Sequence, residues 1–199
     1  MWRRGVFIII GVALVGAGCG GSSKTTSAAA PASSCTAAVP KGAVATIDTN
    51  FGCIVVALDT TNAPKAAGRF ISLAKAGFYN GLTFHRVVPD FVIQGGDPKG
   101  DGTGDSGKPP VIGEVPKDGY PIGSLAAAKT GTDPDGSFDC QFFIVTGQQG
   151  TQLPDQYARF GRVVAGMDVA QKIDGLAPAS GDGPPTQKVT MTKVTITGA

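Results

Sequence analysis

The chain has 199 residues, 30 of them glycine and 14 proline, and a formal net charge of +2 at pH 7. This length allows one folded domain plus a tail, and the glycine and proline content indicates many turns between short strands. Without Arg3 and Arg4, which lie in a segment expected to be removed, the 17 Lys and Arg residues become 15, against 15 Asp and Glu. A near-neutral chain without a basic stripe argues against a nucleic-acid partner.

Residues 1–18 have the pattern of a secretory signal peptide. Arg3 and Arg4 form a basic start, an apolar run follows from Val6 to Val15, and small residues lead to Cys19. The apolar run is too short for a comfortable membrane span. We therefore predict that this segment directs export and that the folded part works outside the cytoplasm.

Residues 19–41 are rich in Ser, Thr, Ala, Gly and Pro and are predicted to form a flexible tether. Cys19, followed by two glycines and two serines, resembles the lipobox of bacterial lipoproteins, in which the thiol is acylated. Acylation would anchor the chain to the outer face of the bacterial cell membrane. Gly16 stands where that motif usually has leucine. Ordinary cleavage, which would give a secreted protein, and an uncleaved anchor therefore remain alternatives.

The cysteines lie at positions 19, 35, 53 and 140 without any Cys-x-x-Cys spacing, and His85 is the single histidine. The usual mixed zinc sites are therefore not predicted, and we expect no metal or cofactor. An oxidising compartment permits disulfides. If Cys19 is acylated, the remaining three thiols allow one disulfide. Cys35 with Cys53 is slightly favoured, although the sequence leaves the pairing open.

Residues 42–199 are predicted to form the folded domain, which starts with two strands and a helix. The strands Val44–Asp48 and Cys53–Leu58 are separated by a short turn that contains a glycine. Asn62 is predicted to cap the helix, and Gly77 is predicted to end it. This order gives a hairpin followed by a helix that can cover it.

The rest of the domain reads as short strands with one further helix. Strands are predicted for both halves of 84–97 and for 122–127, 141–145, 159–164 and 189–197. The second helix is predicted at Met167–Ile173, and broken alternation near Lys193 predicts a β-bulge. Many short strands with only two helices favour a mainly β fold, a closed antiparallel barrel without exposed strand edges.

The segment Gly102–Gly107 fits the pattern Gly-x-Gly-x-x-Gly. A dinucleotide site would need a helix directly after this loop and alternating βαβ units around it. Lys108 is followed by Pro109 and Pro110 instead, so the pattern does not predict nucleotide binding. We interpret the loop as a flexible wall of a peptide groove.

The stretch from Phe84 to Asp97 carries the strongest functional signal. It reads as two apolar strands broken at Pro89, which brings Arg86, Phe91 and Gln94 to one patch. A guanidinium, an aromatic ring and a carboxamide suit a ligand with one apolar ring and one amide. The string Phe-His-Arg-Val-Val-Pro-x-Phe-x-Ile-Gln-Gly-Gly-Asp resembles the signature of the cyclophilins, the cyclosporin-type peptidyl-prolyl cis-trans isomerases. A second family motif is matched by Gln141-Phe142-Phe143-Ile144.

The resemblance covers roughly residues 42–197 and implies an eight-stranded antiparallel barrel with a helix over each open end. By resemblance Arg86 is the catalytic arginine, and Gln94 orients both that arginine and the substrate. The substrate-binding positions implied by the resemblance are Phe91, Val92, Ala126, Ala127, Gln141, Phe143, Leu153 and Tyr157. His85 is interpreted as structural rather than catalytic, because strand alternation places it on the face opposite Arg86.

The implied function is isomerisation of X-Pro bonds in exported proteins by a monomer, which would assist their folding. Three positions depart from the family pattern: Ala127 replaces asparagine, Gln152 replaces tryptophan and Tyr157 replaces histidine. These departures keep an alternative open. In that alternative the same groove binds proline-containing segments with little turnover, as a chaperone or an assembly lipoprotein.

Overall fold

The computed structural model describes residues 41–199, so the predicted signal peptide, Cys19 and almost all of the predicted tether lie outside the described residues. The described chain contains ten strands, two α-helices and one 3₁₀ helix. In chain order they are β1 (Val44–Thr49), β2 (Gly52–Leu58), α1 (Pro64–Lys75), β3 (Thr83–Val88), β4 (Val92–Asp97), β5 (Val111–Ile112), β6 (Ser124–Ala127), β7 (Ser137–Phe138), β8 (Phe142–Val145), the 3₁₀ helix Gln148–Gln152, β9 (Arg159–Ala165), α2 (Met167–Asp174) and β10 (Val189–Thr197). Within residues 41–199, neither α-helix has the length and apolar character that a membrane span requires.

Eight of these strands close into an antiparallel barrel in the order β1-β10-β3-β4-β8-β6-β9-β2, with β2 paired back to β1. The predicted eight-stranded barrel with two helices is therefore confirmed. Strands β5 and β7 form a separate two-stranded ribbon. The register between β1 and β10 shifts after the pair Asp48 and Lys193, which confirms the bulge predicted there. Closure pairs each barrel strand on both sides, so main-chain groups find partners within the sheet.

Period-two alternation divides the side chains of β4, β6 and β8 between two apolar clusters. Ile93 and Phe142 belong to the main core, whereas their neighbours Val92 and Phe143 belong to a smaller cluster that also contains Tyr120. These strands are therefore buried on both faces, unlike a strand with one solvent face. The smaller cluster lies where loops cover the sheet, and the candidate site is built on it.

The first turn of α1 is capped by a residue distant in sequence. The predicted cap Asn62 is wrong, because its side-chain amide donates to the carboxylate of Asp59. Glu114 takes the capping role: Oε1 accepts from the Lys65 N–H at 3.2 Å, and Oε2 accepts from the Ala66 N–H at 3.3 Å. A carboxylate there satisfies N–H groups that the helix leaves unpaired and complements the helix dipole.

The apolar face of α1 packs into the main core through the buried ring of Phe70. Its ring centre lies 4.9 Å from that of Tyr79 and 5.4 Å from those of Phe142 and Phe160. Aromatic rings at these separations contribute beyond the area that they bury. Gly77 follows the helix with a φ of +74°, which confirms its predicted role as the stop.

Two cysteines lie within the described residues, and they differ. Cys53 is disulfide-bonded, and its partner lies outside the described residues. The pairing of Cys35 with Cys53 therefore stays a prediction. Cys140 is a free and fully buried thiol. Burial, together with the neighbouring Asp139 carboxylate, raises the pKa of Cys140 to about 12.

Candidate active site

The hairpin of β3 and β4 is fixed at its tip by Asp90. This residue adopts a φ of +56°, and its Oδ1 accepts from the Gln148 N–H at 2.7 Å. The Asp90 carbonyl accepts from the Gln149 N–H at 2.9 Å, and the Asp90 N–H donates to Oδ2 of Asp174 at 3.2 Å. The tip is thus tied to the 3₁₀ helix and to α2. The position of the next residue, Phe91, follows from these ties.

A β-bulge in β3 turns Arg86 away from the core. Phe84 and Arg86 pair with the consecutive residues Gly95 and Gln94, so His85 is the extra residue in the strand. Phe84 is fully buried, whereas the side chain of Arg86 is 35% exposed. Bulges are common beside functional sites, because they re-aim a side chain without breaking the sheet.

A chain of side-chain hydrogen bonds runs from Arg86 to the glycine-rich loop. Nη1 of Arg86 donates to Oε1 of Gln94 at 3.1 Å, and Nε2 of Gln94 donates to Oε1 of Gln141 at 3.0 Å. Nε2 of Gln141 donates in turn to the carbonyls of Gly102 and Gly104 at 3.0 and 3.2 Å. The structure therefore joins both sequence motifs and the loop in one polar network.

The guanidinium of Arg86 is also held by Asp182, which the sequence did not single out. Nε of Arg86 donates to Oδ1 of Asp182 at 2.7 Å, and Nη2 donates to Oδ2 at 2.8 Å. The hydrogen bond from Arg86 lowers the pKa of the Asp182 carboxyl below its usual range. Asp182 lies 96 residues after Arg86 in the loop between α2 and β10, so no spacing pattern could have linked them.

A cavity of about 170 Å³ is lined by Arg86 together with apolar and polar side chains. Its walls contain seven of the predicted site residues, namely Arg86, Phe91, Val92, Gln94, Phe143, Leu153 and Tyr157. The rings of Phe143 and Tyr157 meet edge to face with centres 5.4 Å apart. The Arg86 fork thus lines a pocket of aromatic and aliphatic side chains whose walls also include Gln94 and Lys129.

Two of the predicted substrate contacts, Ala126 and Ala127, do not line this cavity. Both residues are fully buried, Ala126 in the smaller cluster and Ala127 in the main core. The Ala127 N–H is also occupied, since it donates to the Ala158 carbonyl at 2.8 Å. The next two residues, Ala128 and Lys129, line the cavity instead. The predicted strand 122–127 and β6 end at the same residue, Ala127, so the assignment of both alanines to the groove came from the resemblance and not from a misplaced strand end.

The matching family model describes the cyclophilin type peptidyl-prolyl cis-trans isomerases, and it matches residues 44–196. The chain belongs to the cyclophilin family. This cyclophilin is 38% identical over 145 residues to the peptidyl-prolyl cis-trans isomerase ppi1 of Schizosaccharomyces pombe, an alignment covering 69% of this chain and 89% of that protein. It is 42% identical over 138 residues to the peptidyl-prolyl cis-trans isomerase of Helicobacter pylori, covering 67% and 81%.

A solved structure agrees with these sequence relationships. The cyclophilin type isomerase of Cryptosporidium parvum, crystallised in the presence of the dipeptide Ala-Pro, matches with a TM-score of 0.70 and 26% identity. The match covers 78% of this chain and 99% of that structure. The predicted family, fold and reaction class are confirmed: the chain is a cyclophilin-type peptidyl-prolyl cis-trans isomerase. Export, lipid anchoring and the roles of single site residues stay predictions.

A second cavity, of about 260 Å³, continues the groove of this cyclophilin. It shares Gln94, Ala128 and Lys129 with the first cavity and has the glycine-rich loop as one wall. Predicted site residue Gln141 lines this second cavity and not the first. The side chain of Lys129 is only 5% exposed, and its Nζ lies 5.7 Å from the centre of the Tyr157 ring. A largely buried cation thus lines both cavities, a feature that its place in a polar loop did not indicate.

Tyr157 of the cyclophilin groove is held by a residue from the loop before β6. The hydroxyl of buried Tyr120 donates to the Tyr157 carbonyl at 2.8 Å and accepts from the Tyr157 N–H at 2.9 Å. One hydroxyl therefore satisfies both main-chain groups of a pocket residue. A single tyrosine in a turn-rich segment carries no sequence signal for this role.

His85 lies outside the two groove cavities and is 8% exposed. Burial lowers the pKa of its imidazole, and the nearby Asp97 carboxylate opposes that change. Among residues 41–199, neither ring nitrogen has a hydrogen-bond partner. This position, away from the groove, is consistent with the structural interpretation of His85.

Proposed function

We propose that this cyclophilin isomerises X-Pro bonds of exported polypeptides in the groove beside Arg86. One observation carries the proposal: Arg86 lines a cavity of about 170 Å³ together with the apolar side chains of Phe91, Phe143 and Leu153, which suit a proline ring. A ring held there would bring its amide nitrogen close to the guanidinium. The pocket supplies position, and the arginine supplies charge at the bond that turns.

The reaction itself explains why such a simple site suffices. Rotation about the X-Pro amide is opposed by delocalisation of the nitrogen lone pair, with a barrier of about 18–20 kcal/mol. In the twisted state the lone pair is localised on nitrogen, where a hydrogen-bond donor can stabilise it. Each ~1.4 kcal/mol of selective stabilisation accelerates the reaction about tenfold. No covalent bond breaks, so positioning and electrostatics can carry the catalysis.

Arg86 is suited to the donor role, because a guanidinium stays charged and offers several N–H groups in a fixed fork. Gln94 accepts from Nη1 at 3.1 Å and thereby restrains the fork. Phe91, Phe143 and Leu153 would enclose the proline ring. Their apolar surfaces exclude water and so strengthen the electrostatic interaction at the bond.

Exported substrates and membrane attachment are the second part of the proposal. The signal-peptide pattern of residues 1–18 and the lipobox-like position of Cys19 support export and anchoring. The disulfide bond at Cys53 supports an oxidising compartment, where such bonds persist. A tethered isomerase would then act on chains as they fold beside the membrane.

The catalytic proposal is tested by measuring isomerisation of a proline-containing peptide with the full chain and with Arg86→Ala. We expect kcat/KM to fall by about 100-fold or more, the loss typical of a removed transition-state donor. Arg162→Ala, which removes an exposed arginine outside both cavities, is the control and should act like the wild type. A wild-type rate in Arg86→Ala would overturn the mechanism.

The rival function, peptide binding without turnover, is separated by the same assay. A binding protein would saturate with peptide yet leave the exchange rate unchanged at catalytic concentrations. Anchoring is tested by mass spectrometry of the protein from the membrane fraction. The proposal expects an acylated Cys19, and an unmodified Cys19 would overturn this part alone.

A further inference from the structure

The loop that carries Asp182 is fastened directly beside Arg86. The Val87 N–H donates to the Gly183 carbonyl at 2.8 Å, and the Gly183 N–H donates to the Val87 carbonyl at 3.3 Å. Gly181 and Gly183, on either side of Asp182, have φ values of +82° and +147°, which favour glycine. These main-chain hydrogen bonds thus fix the position of the loop that places the Asp182 carboxylate beside the guanidinium.

Asp182 and Gln94 together occupy one N–H on each nitrogen of the Arg86 guanidinium. Asp182 takes the edge formed by Nε and Nη2, and Gln94 takes Nη1 from the other side. A guanidinium has five N–H groups. One remains on Nη1 and one on Nη2, at the end of a side chain that lines the cavity of about 170 Å³.

We propose that Asp182 is a positioning residue of this isomerase, which holds the guanidinium of Arg86 so that its two remaining N–H groups face the proline pocket. The inference rests on the proposed catalytic role of Arg86. An unpaired arginine samples many rotamers, and a substrate would have to order it at each turnover. A carboxylate fixed by the main chain orders it beforehand, which is the preorganisation that electrostatic catalysis requires.

A purely structural role accounts less well for this pair. The side chains of Arg86 and Asp182 are 35% and 55% exposed. Ion pairs with this much exposure contribute little to folding stability, because water and salt screen them. The two-point geometry nevertheless fixes the plane of the guanidinium. Its effect should therefore appear in catalysis and hardly at all in stability.

The test compares Asp182→Ala and Asp182→Asn with the wild type in the peptide isomerisation assay. We expect kcat/KM to fall about tenfold for Asp182→Ala. Asparagine keeps one acceptor oxygen, so kcat/KM should fall less in Asp182→Asn than in Asp182→Ala. The melting temperature should stay unchanged in both variants. Asp168→Ala, which removes an exposed carboxylate of α2, is the matched control and should keep wild-type activity.

The decisive measurement is a double-mutant cycle. If Asp182 acts through Arg86, then Asp182→Ala should cause no further loss of activity in the Arg86→Ala background. The Nε–H resonance of Arg86 should also exchange faster with solvent in Asp182→Ala. Wild-type activity of Asp182→Ala, or the same tenfold loss in the Arg86→Ala background, would overturn the inference.

The two proposals fail in different ways. If kcat/KM falls in Arg86→Ala but not in Asp182→Ala, the catalytic role of Arg86 is retained and only the positioning role of Asp182 is rejected. A normal Arg86→Ala would remove the catalytic role itself, and the inference about Asp182 would fall with it.

Discussion

Gln94 and Gln141 meet amide to amide, with Nε2 of Gln94 donating to Oε1 of Gln141 at 3.0 Å. The orientation of both amides follows from the glycine-rich loop. Because the carbonyls of Gly102 and Gly104 accept from Gln141, its oxygen is left to face Gln94. The oxygen of Gln94 is then left to face Arg86. The glycine-rich loop thus sets the donor-to-acceptor direction of every hydrogen bond from Gln141 to Arg86.

This relationship predicts graded losses of activity along the network. Gln94→Ala removes the direct acceptor of Arg86, and we expect kcat/KM to fall about tenfold, as for a displaced catalytic group. Gln141→Ala leaves Gln94 in place but free to turn its amide, so the loss should be smaller. The measurement is the peptide isomerisation assay. Gln171→Ala, on the exposed side of α2, is the control; a loss at Gln141 equal to or larger than that at Gln94 would contradict the ordering.

The cap of α1 predicts a loss of stability without a loss of activity. Glu114→Ala removes the acceptor for two N–H groups in the first turn, a change that typically costs about 1 kcal/mol. For a chain of this size that corresponds to a decrease in melting temperature of roughly 2–4 °C. Calorimetry would measure it, with Lys117→Ala from the same loop as the control. An unchanged melting temperature would show that the contact contributes nothing.

Because His85 is buried, we predict that the free energy of unfolding decreases as the pH falls below about 6.5. Burial lowers the pKa of the folded-state imidazole from its usual 6.5, so the unfolded chain binds a proton first. Between 6.5 and the lowered value the unfolded state holds more protons, and unfolding becomes easier as the pH falls. Urea unfolding at a series of pH values would measure this dependence. His85→Gln should flatten the slope in this window, and an unchanged slope would assign the dependence to other groups.

We predict that the thiol of Cys140 does not react in the folded protein. Its pKa is raised to about 12, and its side chain is fully buried, so almost no thiolate is available at neutral pH. Iodoacetamide at pH 8 should leave Cys140 unmodified in the native protein and alkylate it readily in urea. Peptide mass spectrometry distinguishes the two outcomes. Rapid alkylation of the native protein would contradict the buried position.

The sequence identified the parts of the site that lie on one continuous stretch. Arg86, Phe91 and Gln94 share a hairpin, and a short turn leaves few ways to arrange them. Phe143 and Leu153 were assigned to the pocket by the resemblance, and both line the same cavity as Arg86. Their placement around one cavity agrees with the prediction, because local pattern and strand pairing fix most of the geometry, and their roles stay predictions.

The remaining parts depend on contacts between distant segments, which no local pattern encodes. Asp182 reaches Arg86 across 96 positions, and Glu114 replaces the expected cap from a loop 49 positions beyond Lys65. Ala127 was assigned to the groove by resemblance, and as the last residue of β6 it lies in the main core. In a strand, one residue decides between core and solvent.

The place of β10 between β1 and β3 has a consequence for biosynthesis. Residues 189–197 emerge from the ribosome after the other seven barrel strands. Strand β3, which bears Arg86, therefore has no β10 to pair with until synthesis is almost finished. Until β10 is in place, the sheet is open and has two unpaired edge strands, each of which can pair with a strand of another chain. A nascent copy of this isomerase therefore passes through a stage in which its own unpaired strands can aggregate.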